Sequence, residues 1–320
     1  MDRSTKLHAQ QLLRNTLKSV TAYMDDPDVQ EIMINGENDV WLERKGQVTK
    51  TDTQISDIDI RSAITVLARL ENKEAKEGAR ESILDARLEG MRVAAAMAPT
   101  SVKGASIAIR KHSSVHLGLD DYVSQGAMPQ EAADMLRSFI VERKNIIVAG
   151  GTSSGKTTAL NALIAEIDVH DRVLTIEDTP ELKVRTPNWV SLMSNEQEGI
   201  STRDLVRLAL RYRPDRIVVG EVRGGEAFDL LDAANTGHEG SIATIHANGA
   251  FSALSRFESL VLRSGIQWPH EAIKAQIAET FHYVVFMARR NGKRSLAEIM
   301  ALKGYDFETK QYEYEFLYRV

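Results

Sequence analysis

The chain contains no cysteine. Disulfides, thiolate metal sites and cysteine nucleophiles are therefore excluded, and the fold must hold by packing alone. Such a composition fits a reducing cytosol. A basic excess is also missing, since 40 Lys and Arg stand against 45 Asp and Glu, for a net charge of −5. Proteins that grip duplex DNA over a long footprint carry that excess, so no stable direct DNA binding is expected. Long apolar runs are absent too. The longest, such as residues 93–98, fall far short of the roughly 20 residues that span a bilayer. The chain is expected to lie on a membrane at most. Its opening, MDRSTKLHAQ, lacks the apolar stretch of a secretory leader. There is no internal repeat and no low-complexity tract.

The sequence is 320 residues long, 43% hydrophobic and 27% charged, which suits two modest soluble domains. Within residues 7–24, Leu12, Leu13, Leu17, Val20 and Met24 recur at helical spacing, accompanied by Arg3, Lys6, Arg14 and Lys18. That stripe reads either as a helix packed on its own domain or as a basic amphipathic helix touching lipid or a partner. Short β-like runs follow at 31–34, 40–42 and 47–49, separated by Asn35-Gly36 and Lys45-Gly46 turns. Ser56 with Asp59 resembles a capping box and opens a helix bearing Ile60, Ile64, Leu67 and Leu70. Strand-like pieces at 83–88, 92–97 and 106–110 complete an α+β region. Gly118, Gly126 and Pro129 then punctuate a looser stretch, read as a linker over 118–128 between a domain of 1–117 and one of 129–320.

The second region alternates helix and strand. A helix over 130–143 leads to a buried strand at 145–149. Further strands are expected at 173–176, 216–219 and 241–245, with helices at 202–212 and 226–234. Uninterrupted apolar strands alternating with helices predict a parallel α/β sheet covered on both faces.

Gly150-Gly151-Thr152-Ser153-Ser154-Gly155-Lys156-Thr157-Thr158 fits the G-x-x-x-x-G-K-[ST] phosphate loop. Glycine lets consecutive backbone amides converge on phosphate oxygens. Lys156 supplies charge to the β and γ phosphates, Thr157 offers a hydroxyl to Mg²⁺, and the following helix points its positive end at the same anion. ATP with Mg²⁺ is the ligand expected. Hydrolysis further needs acids and a means of orienting water. Glu221 ends an apolar strand where a metal-organising acid belongs, reaching Mg²⁺ directly or through water. Glu177 and Asp178 end another strand, and His246 a third. Ligands in open parallel sheets sit beyond the strands' carboxyl ends, so these groups are expected to share one crevice, with Glu177, Glu221 and His246 catalytic and Asp178 supporting. His238 serves a structural role equally well.

Several segments in order, Gly150 to Thr158, Thr175-Ile-Glu-Asp-Thr-Pro-Glu181, Arg213-Pro-Asp-Arg-Ile-Val-Val-Gly-Glu-Val-Arg223, Asn235-Thr-Gly-His-Glu-Gly-Ser241 and Thr244-Ile-His-Ala-Asn248, resemble the secretion or traffic ATPase superfamily. There they correspond to its Walker A, Asp box, Walker B and His box. The wording of Asn235 to Ser241 and of His246-Ala-Asn248 resembles the type IV secretion and conjugation branch. The likeness extends upstream through Asp85 to Val93, Pro99 and Ile107 to Lys111, covering roughly residues 25–290.

This resemblance implies a RecA-like P-loop NTPase domain with a smaller, PAS-like α+β N-terminal domain. It implies a homo-hexameric ATPase, one ATP site per subunit, whose domain motion powers type IV secretion, conjugative DNA transfer and pilus assembly. Its partners would be other machine components at the inner membrane, and its place the cytoplasm, peripherally attached there. Arg92 and Arg110, with Arg87 a further candidate, would reach the phosphates or base from the first domain; surface salt bridges are the plainer alternative for them. A pilus or type II secretion motor, and a nucleotide-gated scaffold without turnover, are the other readings. Two departures stand out. Ser153 replaces a usual glycine, and the tetracysteine zinc motif of many pilus-assembly and type II relatives is missing, so no zinc is expected.

Overall fold

In the computed structural model, the described residues are 11–320 apart from 72, 76–77, 79, 89, 112–116 and 291. The chain divides into two compact units, Met1–Val115 and His116–Val320.

In the first unit, residues 11–16 form helix α1, and Thr21–Asp25 form α2. Leu13, Leu17, Val20 and Met24 are buried in this unit's own core, while Leu12 is exposed. The stripe thus packs on its own domain; Arg3 and Lys6 lie outside the described residues. Strands β1 (Val29–Ile34), β2 (Val40–Arg44) and β3 (Gln47–Lys50) precede helix α3 (Asp57–Leu70). Strands β4 (Ile83–Leu88), β5 (Met91–Ala96) and β6 (Ser106–Lys111) follow it. All pair antiparallel in the order β3-β2-β1-β6-β5-β4. Lys45 and Gly46 close the β2–β3 hairpin at φ 49° and 82°, the mirror-image turn whose twist suits two-residue hairpins. Ser56 Oγ accepts the Asp59 amide at 3.2 Å, capping α3. Ile60, Ala63, Ile64, Leu67 and Ala68 of that helix cover the sheet's buried face.

The second unit is built on eight strands. Helices α4 (Leu119–Ser124) and α5 (Gln130–Val141) come first, then β7 (Ile146–Gly150), α6 (Lys156–Ile164), β8 (Val173–Glu177) and β9 (Trp189–Met193). Next are α7 (Thr202–Ala209), β10 (Arg216–Val222), α8 (Glu226–Asn235), β11 (Ile242–His246), α9 (Ala250–Leu262) and α10 (His270–Thr280). Strands β12 (Tyr283–Arg290), β13 (Lys293–Asp306) and β14 (Gln311–Arg319) end the unit. The order is β14-β13-β12-β7-β11-β10-β8-β9. Strands β12, β7, β11, β10, β8 and β9 run parallel. β13 and β14 add an antiparallel margin that the helix–strand alternation did not foretell. Ile147, Ile176 and Ile217 meet α7 to α10 on one face, and Ile146, Val148 and Val218 meet α4 to α6 on the other. Successive side chains of a strand alternate between faces, so a sheet covered twice demands unbroken apolar strands.

The stretch read as a linker over 118–128 carries α4, and Leu119, Tyr122 and Met128 are buried in the core of the second unit. Gly118 begins α4 as its N-cap and Gly126 turns the chain after it at φ 67°, so both shape a packed segment instead of loosening a tether. Among the described residues no helix is long and apolar enough to cross a membrane.

At the amino end of β10, Arg216 is 2% exposed and ties that strand to α5 and to the turn before β8. Its Nε donates to Asp171 Oδ2 at 2.6 Å and its second terminal nitrogen to the Ile140 carbonyl at 2.8 Å, while Arg143 also pairs with Asp171. Breaking a buried ion pair from one side leaves a desolvated charge behind. Arg216→Ala is therefore expected to cost roughly 3–5 kcal/mol, read as a fall in the urea midpoint of the second unit. An unchanged midpoint would show that the pair is incidental to stability.

Candidate functional site

The buried strand β7 ends at Gly150, and the chain turns through the Gly-rich loop into α6. A Cβ on Gly150 would lie 2.3 Å from Ser154 Oγ and 2.7 Å from the Met287 carbonyl, so only glycine fits. Gly155 caps α6 at φ +93°, the left-handed region open to glycine. Ser153 adopts φ +57°, in the left-handed region that favours glycine, so the loop tip accepts a Cβ there. Gly151 meets nothing within 4 Å and is not required sterically. Lys156 Nζ donates to the Gly150 and Gly151 carbonyls at 2.9 Å each, which places the ammonium across the mouth of the loop. Thr157 and Thr158 occupy the first turn of α6, the end of a helix at which backbone amides lack intrahelical acceptors. Ser154 Oγ is buried and has no hydrogen-bond partner among the described residues.

The strand order β7-β11-β10-β8 sets the rest of the site. Because these strands are parallel, their carboxyl ends share one edge. His246 is in register with Gly150, Glu221 lies one strand further out on β10, and Glu177 ends β8 beyond it. Strands lie roughly 5 Å apart, so the acids approach from one side of the loop. Thr152 Oγ1 lies 3.4 Å from His246 Nε2. Loss of hydration, then repulsion by Lys156, holds the His246 imidazole below its ordinary pKa, and Glu221 partly offsets this.

Glu177 is 5% exposed. Its Oε1 accepts the amides of Glu181 and Leu182 at 2.8 and 2.9 Å. Its Oε2 is buried with no partner among the described residues. Desolvation pushes its pKa up to about 7 against the pull of those two amides, with Glu181 and Asp178 adding repulsion. The loop that binds Oε1 is tied to α6, since Asn161 Nδ2 donates to the Glu181 carbonyl and the Lys183 amide to Asn161 Oδ1. The helix that opens at Lys156 thereby positions the acid.

Gly220, the residue before Glu221, makes room for Glu177. A Cβ at Gly220 would lie 3.0 Å from Glu177 Cγ, so the Glu177 side chain rests directly on that glycine. Arg223 bridges the acids, donating to Asp178 Oδ2 and Glu221 Oε2 at 2.5 Å each. Asp178 also accepts from Ser194 Oγ at 2.9 Å. His238, by contrast, sits before β11 at the sheet's other end, with Nδ1 3.1 Å from the Ala233 carbonyl. It finishes helix α8 and belongs to the scaffold.

Sequence reasoning did not single out Arg223 or Arg294 as site residues. The first was visible as a charge two residues after Glu221. Arg294, whose Nε donates to the Ser153 carbonyl at 3.0 Å, is 141 residues away and carries no motif.

The three arginines of the first unit are brought together there. Arg87 pairs in register with Arg92, and Arg92 with Arg110, across β4, β5 and β6. Directly opposed residues share a face, so they form one row, which Glu31 continues on β1. Arg92 also pairs with Asp85 at 2.8 Å, the salt bridge that was the plainer expectation for it. Burial raises the Glu31 pKa, and Arg110 counters this.

A protein-family model described as "Type II/IV secretion system protein" matches residues 14–291. The chain is 36% identical over 296 residues to the conjugal transfer protein TrbB of Rhizobium radiobacter, covering 90% of this chain and 89% of that one. It is 30% identical over 325 residues to the type IV secretion system protein VirB11 of Bartonella quintana, covering 88% and 91%. Among solved structures it resembles the Legionella pneumophila ATPase DotB, with a TM-score of 0.64, 21% identity and 92% and 81% coverage, a likeness of fold.

Proposed function

We propose a function that proceeds from one premise: the chain belongs to the family of type II/IV secretion system proteins. On our reading its second unit is a RecA-like P-loop domain that hydrolyses ATP to ADP and phosphate, and the chain works as a ring-forming motor of type IV secretion or conjugative transfer. The observation that carries this reading is the unpaired Glu177 Oε2, buried on the same strand-end edge as the phosphate loop and in contact with the residue before Glu221.

The loop amides from Gly151 to Thr158 bind the polyphosphate, and Lys156 neutralises its terminal charge. Glu177 accepts the proton of the attacking water as oxygen bonds to the γ-phosphorus and the bond to the β-phosphate oxygen breaks. Glu221, held by Arg223, ends the neighbouring strand. His246, held toward its neutral form, feels the charges of both Lys156 and Glu221 and touches Thr152 of the loop, whose state it would report.

Mg²⁺ fits the oxygen donors at hand, the Thr157 hydroxyl and the Glu221 carboxylate. No cluster of three or more His, Asp or Glu capable of holding a metal exists among the described residues. That accords with an ion that keeps its waters and takes phosphate oxygens for most of its shell. When bound, Mg²⁺ would neutralise charge developing on the phosphates.

The row Arg87, Arg92 and Arg110 offers a phosphate or base contact from the first unit, through which ATP would favour domain closure and product release would reverse it. The assembly we infer is a homo-hexamer, acting in the cytoplasm at the inner membrane with other components of the machine and without stable direct DNA binding. Mass measurement in solution tests it. Mg-ATP is expected to shift the 35.6 kDa chain to a six-copy species. A monomer at every concentration and nucleotide state would overturn the ring. Phosphate release in a single turnover separates the motor from a scaffold that only binds.

A further inference from the structure

Ser153 holds a backbone conformation, φ +57°, that costs a residue with a Cβ and suits glycine. Something must keep it there, and one side chain touches it from far along the sequence. Strand β12 is parallel to β7, with Met287 in register with Gly150. The β12–β13 hairpin runs on to Arg290 and returns at Lys293, with Arg289 opposite Arg294. It therefore overshoots the end of β7 by three residues, roughly 10 Å at the rise of a strand. That overshoot sets Arg294 alongside the phosphate loop. Its Nε donates to the Ser153 carbonyl at 3.0 Å. Its Cδ, Cβ and Cγ line the space beside Gly155, at 3.4, 3.7 and 4.0 Å from where a Cβ would stand.

A trans peptide points its C=O and the following N–H in opposite directions. Fixing the Ser153 carbonyl on Arg294 therefore turns the Ser154 amide the other way, across the loop, where it lies 3.4 Å from the Gly151 carbonyl. We propose that Arg294 is a positioning residue for the phosphate loop: by holding the Ser153 carbonyl it keeps the serine in the left-handed turn and the Ser154 amide aimed inward. The hairpin thus supplies the rigidity that a glycine at 153 would not have required. This rests on reading the loop as a polyphosphate site, and it assigns Arg294 no contact with the nucleotide.

The test is a double-variant cycle on the full chain with Arg294→Ala, Ser153→Gly and the pair. Affinity for a fluorescent ADP and the exchange rate of amides in the 150–158 peptide are the two readouts. Arg294 is exposed, so its removal leaves the core intact. Arg294→Ala is expected to weaken ADP binding about tenfold and to speed loop exchange similarly. Against a Ser153→Gly background the same change should cost about threefold or less, because glycine takes the turn unaided. An undiminished penalty in that background would overturn the proposal, since Arg294 would then act on the nucleotide itself. Unchanged exchange in Arg294→Ala would overturn it as well. A wild-type chain that binds no nucleotide yet shows the exchange coupling would sink the polyphosphate reading alone.

Discussion

Lys156→Ala is expected to lower ATP turnover by roughly 10²–10³-fold or more, the scale of losing a preorganised charge aimed at the transition state. In the loop, Lys156 Nζ already donates to the Gly150 and Gly151 carbonyls, so it is held at the mouth before any phosphate arrives. An ammonium fixed in advance costs little reorganisation when charge builds on the leaving oxygen. Alanine removes that charge and frees two carbonyls that would face the anion. The fold should survive, because the apolar residues that anchor α6 are Leu160, Leu163 and Ile164. Phosphate release at saturating Mg-ATP, with the melting curve as a control, measures the effect. Turnover persisting in a folded Lys156→Ala chain would remove the loop from the chemistry.

Much of this site can be read from residue order alone, for a physical reason. Apolar runs such as Ile146-Ile-Val-Ala149 have one stable home, a strand covered on both faces, and glycine positions directly after it report a turn that a Cβ would block. The contact at Gly150 is such a case. Periodicity says nothing of groups that meet through the third dimension. Arg294 reaches Ser153 because a hairpin overshoots, and no local pattern encodes that length. Strand β14 was missed despite its alternation of Tyr312, Tyr314, Phe316 and Tyr318, a period-two signal that was available. Gly118 and Gly126 suggested slack where Leu119, Tyr122 and Met128 are in fact packed, since a glycine marks a turn whether the turn is buried or free. The type of acid at 177 was legible, but its desolvation was not, because that depends on which residues close over it.

That desolvation makes Glu177→Gln the more discriminating variant. Glutamine keeps the shape, and its amide oxygen can accept the Glu181 and Leu182 amides as Oε1 does. The loop tied to α6 should hold and nucleotide binding should remain. Loss of the general base is expected to lower kcat by roughly 10²–10⁴-fold with little change in ADP affinity. The wild-type pH profile supplies a second signature. Glu177 must be ionised to take a proton, and its pKa is pushed up to about 7, so kcat should rise through neutral pH and level off above it. The variant's residual rate should lack that limb. Stability runs in the opposite sense. Between the ordinary carboxyl value and about 7 the folded chain binds more protons at this site than the unfolded chain. Stability therefore falls as pH rises through that window and is flat above it. With no carboxylate to ionise at this buried position, Glu177→Gln should be more stable than the wild type at pH 8, by about 3 kcal/mol at most on the scale of 1.36 kcal/mol per pKa unit. A variant that lost ADP binding, or that lost stability at pH 8, would show that Glu177 holds the loop in place instead of handling the proton.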